Sequence, residues 1–298
     1  MLESLRTRVF GGYFYERIKY LRKFCKNDYI LKCYLEYCRY CYWHGAKNCK
    51  SNRLFDNKTE FVEIEGMKFP QMKGEDIGTF WCEFPDVLLP YIMEVRGDKY
   101  RFEKIAPLMV EGPYELNDHV AIREGDVVVD CGANVGLFSA IASDKGAYVY
   151  AFEPDDAIIK EYLSKTGQYH KNIHIIPLAL SDKCGKKYFA REANNIGGGN
   201  LTSDRDKADI IVHTVTLDQF VEENHIKKID FIKADIEGAE RQMLRGAVKV
   251  LKEFAPKLSI CTYHLPNDKI VLEQIVKDAN PNYVIEHSYK KMYCYVPA

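Results

Sequence analysis

Two carboxylates and a glycine turn form the part of the sequence whose residue types and spacing could do chemistry. Residues 127–129 are three valines, and Asp130 follows them directly before a turn that contains Gly132 and Gly136. Three valines in a row are typical of a strand covered on both faces, and glycines let a ligand approach bare backbone. A helix beginning after the turn would point free N–H groups at that ligand. The stretch therefore predicts a binding site for a nucleotide-type cofactor.

The acids indicate which cofactor this is. The pattern D-x-G-x-x-x-G differs from the G-x-G-x-x-G of dinucleotide sites, because Asp130 would repel a pyrophosphate and favour an ammonium or a sulfonium. Glu153 ends the next apolar strand, roughly 20 residues further on, where a carboxylate can accept both ribose hydroxyls. The same geometry serves NAD, and either acid alone could simply cap a helix. Both together, at this spacing, predict S-adenosylmethionine.

Further strands should bring other polar residues to the same place. Residues 173–176 read as a third strand, and Leu180 and Ser181 after it are placed to contact an adenine. Residues 229–234 form a fourth strand that ends at Asp235, and a fifth strand, 257–263, ends at His264. Because the carboxyl ends of parallel strands meet at one sheet edge, we expect that edge to collect Asp130, Glu153, Asp235 and His264.

The alternation of strands and helices predicts an α/β fold, namely a seven-stranded doubly wound, Rossmann-like sheet preceded by a small α+β region. Residues 283–286 and 292–296 should form an antiparallel hairpin that closes the sheet. Glycine and proline near residues 111–113 place a domain boundary there, so that residues 1–110 and 111–298 are separate regions. The glycine-rich stretch 194–200 lies between likely strands and is expected to be a hairpin, either a mobile one over the site or an inert one at the surface.

Composition narrows the class of protein. The chain has 298 residues, 47% of them hydrophobic, and no apolar run approaches the ~18 residues that cross a bilayer. The first ten residues are charged where a signal peptide would be apolar, so we expect a cytoplasmic protein whose ten cysteines stay reduced. No metal site is expected.

The N-terminal segment is basic, with twelve Lys or Arg against four Asp or Glu in residues 1–53. Helical patterns over 13–25 and 29–43 are rich in tyrosine, which favours packing on a neighbouring domain. Contact with an anionic membrane or a lipid-linked substrate is the alternative, and nucleic acid is less favoured. Cys33, Cys38 and Cys41 match an iron–sulfur spacing, but a helical pattern favours a core role for them. The oligomeric state stays open.

Four motifs in order resemble the FkbM family of S-adenosylmethionine-dependent methyltransferases. They are D-C-G-A-N-V-G at 130–136, F-E-P at 152–154, A-L-S-D at 179–182 and F-I-K-A-D-I-E-G-A-E at 231–240. The resemblance covers residues 111–298 and implies a methyltransferase fold, usually with O-methylation of sugars, polyketides or related hydroxyl compounds. The turn and the motifs together place the cofactor contacts at Asp130, Gly132, Ala133, Asn134, Gly136, Phe138, Glu153, Pro154, Leu180 and Ser181.

Methyl transfer requires an aligned acceptor oxygen and a group that takes its proton. His264 is the candidate base and Asp235 the orienting group, or the two roles are exchanged. A metal between Asp235 and Glu237 is less favoured, because a glutamate at a helix start is explained by capping. The competing functions are a nicotinamide-dependent oxidoreductase and a non-catalytic module that binds through the basic N-terminal segment.

Overall fold

A computed structural model of the chain describes residues 18–19, 21–22, 28–44, 52–56, 58–98, 109–192 and 195–297. The chain divides into two compact units, Met1–Val110 with Ala193–Gly197, and Glu111–Glu192 with Gly198–Ala298. The first expected helix, over 13–25, lies outside the described residues except for 18–19 and 21–22. Much of the basic segment also lies outside them, so its expected partners stay predictions.

The first unit contains an aromatic core. Its helices are Tyr29–His44, Asp76–Glu83 and Leu88–Val95, and its strands are β1 (Phe61–Ile64) and β2 (Met67–Pro70). The strands pair antiparallel across Glu65 and Gly66, so this unit contains both helices and strands, as the expected α+β region does. Trp81 is fully buried, with its ring centre 5.7 Å from that of Tyr34.

The cysteine run of the first helix is part of this core. Cys33, Cys38 and Cys41 are all buried within Tyr29–His44. Among the described residues, the groups of side chains spaced to hold a metal ion do not include these thiols. A core role therefore accounts for their C-x4-C-x2-C spacing.

The second unit is built on strands that alternate with helices. The strands are β3 (Val127–Cys131), β4 (Tyr148–Phe152), β5 (Ile173–Ile176), β6 (Ala179–Leu180), β7 (Gly185–Glu192), β8 (Asn195–Thr202), β9 (Ile210–Val215), β10 (Phe231–Ala234), β11 (Lys257–Cys261), β12 (Val284–Ser288) and β13 (Lys291–Tyr295). The helices are Leu137–Asp144, Asp156–Ile158, Ser164–Tyr169, Leu217–Glu223, Glu240–Arg245, Val248–Glu253 and Asp268–Ala279, with a π-helical turn at Ile159–Leu163 and a 3-10 turn at Arg205–Lys207.

The main sheet has seven strands in the order β12-β13-β11-β10-β3-β4-β5, which confirms the predicted fold class. Strands β5, β4, β3, β10 and β11 run parallel, while β13 pairs antiparallel with both β11 and β12. The chain passes from β3 outward to β5 and then returns to β10 on the other side of β3. The strand order therefore reverses between β3 and β10, which is where ligands bind in open α/β sheets.

The centre of this sheet is covered on both faces, as the run of valines predicted. Val128 and Val129 of β3 are fully buried, as are Ile232 of β10 and Leu258 of β11. Continuous apolar strands of this kind need helices on both sides. The polar residues of the site are consequently confined to the strand ends, except where a buried charge has a partner.

A second sheet has the order β6-β9-β7-β8. The glycine-rich stretch belongs to it, because residues from Asn195 onward form strand β8 beside β7, which agrees with the expected hairpin; Asn194 lies outside the described residues. Whether this hairpin is mobile or inert stays a prediction. Gly199 explains the glycines in part, because a Cβ there would lie 2.5 Å from the ring of Phe189. The glycine lets two strands approach closely, so the stretch has a packing role.

Among the described residues, the helices are all too short or too polar to cross a bilayer. The expected cytoplasmic location stays a prediction.

Candidate functional site

The glycine turn after β3 is held by the ends of both neighbouring strands. The backbone N–H groups of Gly132 and Ala133 donate to the carbonyl of Phe152 at the end of β4, at 3.0 and 2.9 Å. Gly132 has a φ of +78°, and a Cβ there would lie 2.2 Å from the carbonyl oxygen of Asp235 after β10. Only glycine satisfies both conditions, so the turn is fixed by packing as well as by backbone conformation.

Gly136 leads the turn into the helix Leu137–Asp144. It has a φ of +90°, and a Cβ would lie 2.9 Å from the side chains of Leu163 and Thr166. Glycine has no side chain that could cap the helix, and the first N–H groups of a helix have no partner within it. A helix start of this kind can donate to a polar ligand group.

Glu153 lies directly after β4 and reaches back to the turn. Its Oε2 accepts from the N–H of Asn134 at 3.0 Å, and its Oε1 accepts from the N–H of Asp155 at 2.9 Å. Burial raises the pKa of Glu153 to about 7, although both backbone hydrogen bonds lower it. A carboxylate offers about four acceptor positions, so two remain for further donors. Such donors would favour the charged form.

Asp130 is completely buried and paired within the protein. Its Oδ1 lies 2.9 Å from the ammonium of Lys233 on β10, and its Oδ2 accepts from the hydroxyl of Ser139 at 2.6 Å. Lys233 also donates to the carbonyl of Gly132 at 2.7 Å. The pair thus ties β3, β10 and the turn together. Direct contact between Asp130 and a cofactor stays a prediction.

Sequence reasoning missed Lys233 as a functional residue. The available signal was a lysine inside the apolar strand 231–234, because a buried ammonium needs a buried anion. The register of the sheet places Lys233 opposite Asp130. Only knowledge of which strands are neighbours reveals this pairing.

Tyr114 connects the site to the segment before β3. Its hydroxyl donates to Oδ2 of Asp235 at 2.6 Å, and its ring centre lies 5.2 Å from that of Phe138. The ammonium groups of Lys233 and Lys291 lie 5.3 and 4.3 Å from the centre of the same ring. Burial alone would raise the pKa of Asp235, but the two lysines, the Tyr114 hydroxyl and His264 lower it. Asp235 is therefore ionised at neutral pH.

His264 after β11 lies against the acids that follow β10. Its Nδ1 is 2.9 Å from Oε1 of Glu240, and its Nε2 is 3.5 Å from both Oδ1 of Asp235 and Oε2 of Glu237. Burial alone would lower the pKa of His264, but Glu240, Asp235 and Glu237 raise it to about 9. Burial raises the pKa of Glu237 to about 7. The structure thus brings Asp235 and His264 together, as the sheet edge predicted.

Leu180 and Ser181, which the sequence places near an adenine, contact other residues of the protein. Leu180 ends β6 of the second sheet and is buried in the same apolar core as Phe152. The hydroxyl of Ser181 donates to Asp182 at 3.1 Å and accepts from Lys187 at 2.7 Å. Pro154 lies between Glu153 and Asp155 in the loop after β4. Contact of these residues with an adenine stays a prediction.

Fold and site together define a class of protein. The main sheet has five parallel strands, an antiparallel β13 near its edge and a glycine turn where the strand order reverses. This is the Rossmann-like architecture of methyltransferases.

The family follows from comparison with known sequences. The family model described as the methyltransferase FkbM domain matches residues 130–291, more than half of the 298-residue chain. The chain therefore belongs to the FkbM methyltransferase domain family, as its motifs predicted.

Curated relatives match over a shorter stretch. Hexuronic acid methyltransferase AglP of Haloferax volcanii is 27% identical over 130 residues, covering 44% of this chain and 53% of the relative. The 31-O-demethyl-FK506 methyltransferase FkbM of Streptomyces tacrolimicus is 26% identical, covering 44% of this chain and 63% of the relative. The chain thus spans about half to three fifths of the length of these relatives.

A solved structure is similar as well. The crystal structure of methyltransferase FkbM from Methylobacillus flagellatus has 20% sequence identity and a TM-score of 0.48, with 75% of this chain and 55% of that chain covered.

Proposed function

We propose that the protein is an S-adenosylmethionine-dependent methyltransferase that acts on a hydroxyl group of a small molecule. The observation that carries the proposal is the join between the glycine turn and Glu153. The backbone N–H of Asn134, within the turn, donates to the Glu153 carboxylate and holds it beside the glycine turn. The turn lies where the strand order of the sheet reverses, and its glycines leave the backbone open to a ligand. Ribose hydroxyls are the donors that this position suits.

The residues present fit this cofactor. Glu153 is 5% exposed, and burial raises its pKa although two backbone N–H groups and Lys233 lower it, so hydroxyl donors would stabilise its charged form. Gly132 and Gly136 leave backbone uncovered in the turn, and the uncapped helix start supplies donors. When bound, the cofactor supplies an electrophilic methyl group. The other cofactor contacts that we propose are those predicted from the sequence.

Asp235 and His264 are proposed to handle the acceptor. Oδ1 of Asp235 is buried and has no hydrogen-bond partner, whereas Oδ2 accepts from Tyr114. A hydroxyl donating to this oxygen would be oriented by Asp235 and would pass its proton there as the new bond forms. His264, held by Glu240, would position the carboxylate. Of the two assignments left open by the sequence, we therefore favour Asp235 as the proton acceptor.

The class of substrate rests on the relatives. One relative is named for a hexuronic acid and another for 31-O-demethyl-FK506, in which a methyl group is absent from an oxygen. We accordingly propose O-methylation of a sugar, glycan, polyketide or similar hydroxyl compound. Residues 1–110 are proposed to contribute to the choice of acceptor or carrier.

Calorimetry with S-adenosylmethionine, NAD and a short oligonucleotide tests the proposal against its alternatives. We expect saturable binding of S-adenosylmethionine and its product S-adenosylhomocysteine, and none of NAD. Binding of NAD alone would replace the proposal with an oxidoreductase. Binding of the oligonucleotide alone would indicate a non-catalytic module.

Transfer of a radiolabelled methyl group to a panel of hexuronic acids and macrolides then identifies the acceptor. Asp235→Asn should lower turnover roughly 100-fold or more while cofactor affinity stays within about threefold. Equal loss of cofactor binding and turnover would contradict the role given to Asp235.

A further inference from the structure

Three side chains after β10 and β11 present metal-ligand atoms to one point. Asp235, Glu237 and His264 each offer one ligand atom that lies within 4.8 Å of the other two. Nε2 of His264 is 3.5 Å from Oδ1 of Asp235 and from Oε2 of Glu237. Atoms held at about 2.1 Å by one ion lie roughly 3 to 3.5 Å apart, so the nitrogen already has the spacing of a ligand.

His264 is oriented as metal-binding histidines are. Its side chain is 7% exposed, and its Nδ1 is bonded to Glu240, whose side chain is 1% exposed. Oε1 of Glu240 also accepts from the N–H of Ile236 at 2.9 Å, which fixes the carboxylate. A carboxylate on one ring nitrogen places the proton there and leaves the lone pair on the other. When a cation displaces the second proton of the imidazolium, the lone pair of Nε2 points at Asp235 and Glu237.

The buried atoms that meet at this point lack other partners. Nε2 of His264 and Oδ1 of Asp235 are both buried, and neither has a hydrogen-bond partner. Native proteins satisfy almost all such atoms. A buried ring nitrogen that has no hydrogen-bond partner and is directed at two carboxylate oxygens is the arrangement of a histidine that binds a cation.

Charge favours a cation at the same point. Asp235, Glu237 and Glu240 surround one imidazole, with carboxylate oxygens 2.9 to 3.5 Å from its two nitrogens. Carboxylates gathered in a buried place are costly unless a cation offsets them.

A second set of ligand-type side chains, Glu111, Asp235 and Cys261, is less suited. The ammonium of Lys291 is fully buried there and donates to the carbonyls of Glu111 and Gly112, at 3.0 and 2.7 Å. Burial also raises the pKa of the Cys261 thiol well above its ordinary value, which disfavours the thiolate that binds metals.

We propose that Asp235, Glu237 and His264 bind one divalent cation, with Glu240 holding the imidazole in place. Two carboxylate oxygens and one imidazole nitrogen suit Mn²⁺ or Zn²⁺ better than Ca²⁺ or Mg²⁺. Three protein ligands leave coordination positions open. If the acceptor hydroxyl occupied one of those positions, the cation would take over the orienting role that the metal-free site gives to Oδ1 of Asp235. That use rests on the proposed function, whereas binding of the cation does not.

The test is a titration of the full-length protein, stripped with EDTA, with Mn²⁺ and separately with Zn²⁺, without S-adenosylmethionine or acceptor. Calorimetry should show one site, and electron paramagnetic resonance should show loss of the free Mn²⁺ signal. His264→Ala and Glu237→Gln should each weaken binding tenfold or more, and Glu240→Gln about 10- to 100-fold. His287→Ala and Glu273→Gln are matched controls that should not change it. They form an exposed His–Glu pair at 3.1 Å in the same unit.

Absence of saturable binding for both ions would overturn the proposal. Unchanged affinity in Glu237→Gln, whose side chain is 33% exposed and whose replacement is nearly isosteric, would overturn it even if His264→Ala failed to fold. If the cluster only holds a protonated His264 between carboxylates, Glu237→Gln should leave the response to Mn²⁺ and Zn²⁺ unchanged. Because cofactor binding is measured separately, failure of the metal site leaves the proposed methyltransferase intact, and failure of cofactor binding leaves the metal result readable.

Discussion

Replacement of Glu153 by glutamine isolates the charge that we expect to hold the ribose. The side chain keeps its length and shape but can no longer accept on both ends. One of the two backbone donors, at Asn134 or Asp155, also loses its acceptor. Loss of two hydrogen bonds to a charged group should cost about 2 to 3 kcal/mol of cofactor affinity, or roughly 30- to 150-fold in Kd.

The pH dependence of binding makes this prediction sharper. Since burial raises the pKa of Glu153 to about 7, the carboxyl is largely protonated at pH 6 and largely ionised at pH 8. If the ribose needs the anion, affinity in the wild type should rise with pH, by roughly tenfold between pH 6 and pH 8. The Glu153→Gln protein should lack this dependence, because it has no group to titrate there.

Isothermal titration with S-adenosylhomocysteine at pH 6, 7 and 8 measures both effects. Glu222→Gln is the control, because that side chain is 74% exposed and lies on the helix Leu217–Glu223, away from the glycine turn in sequence. Circular dichroism checks that each variant is folded. Equal affinity in Glu153→Gln and wild type at pH 8 would refute the ribose assignment. The same pH dependence in both proteins would assign the titration to another group.

Two further substitutions test the frame of the site. Gly132→Ala should abolish cofactor binding and destabilise the fold, because the new Cβ would lie 2.2 Å from a backbone carbonyl oxygen. Gly125→Ala is the control, because Gly125 has a similar φ of +81° but no atom within 4 Å of a new Cβ. Thermal melts of the two variants therefore separate the effect of the clash from that of backbone strain. Lys233→Met leaves buried Asp130 without its cation and should cost about 3 to 5 kcal/mol in urea unfolding. Lys228→Met removes a lysine whose side chain is 53% exposed and should cost about 1 kcal/mol or less, so equal losses would contradict the structural role of the buried pair.

The sequence sufficed for the sheet because its strands carry strong local signals. Consecutive valines before Asp130, and the apolar run before Asp235, mark buried parallel strands without any knowledge of their neighbours. The shared strand edge then follows from the rule that parallel strands end on one side. This is why the proximity of Asp235 and His264 was predictable.

Partners across the sheet were not predictable in the same way. The bond between Lys233 and Asp130 depends on β10 lying beside β3, and their sequence positions are 103 residues apart. The hydroxyl of Tyr114 on Asp235 depends on the path of a loop segment that has no periodic pattern. The extent of strand β8 was not predictable either, because glycine favours turns in most sequences, whereas Gly199 is required by the close approach of Phe189.

The position of β13 determines when this fold can be completed. It is the last strand in sequence, yet in the sheet it lies between β11 and β12, with Met292, Tyr293 and Cys294 fully buried. Until residue 295 has left the ribosome, β12 has no strand to pair with, and β11 presents an open edge that could pair with another nascent chain. Newly made protein thus depends on β13, which is synthesised after β12, to join β11 and β12, and chains truncated before residue 291 should aggregate.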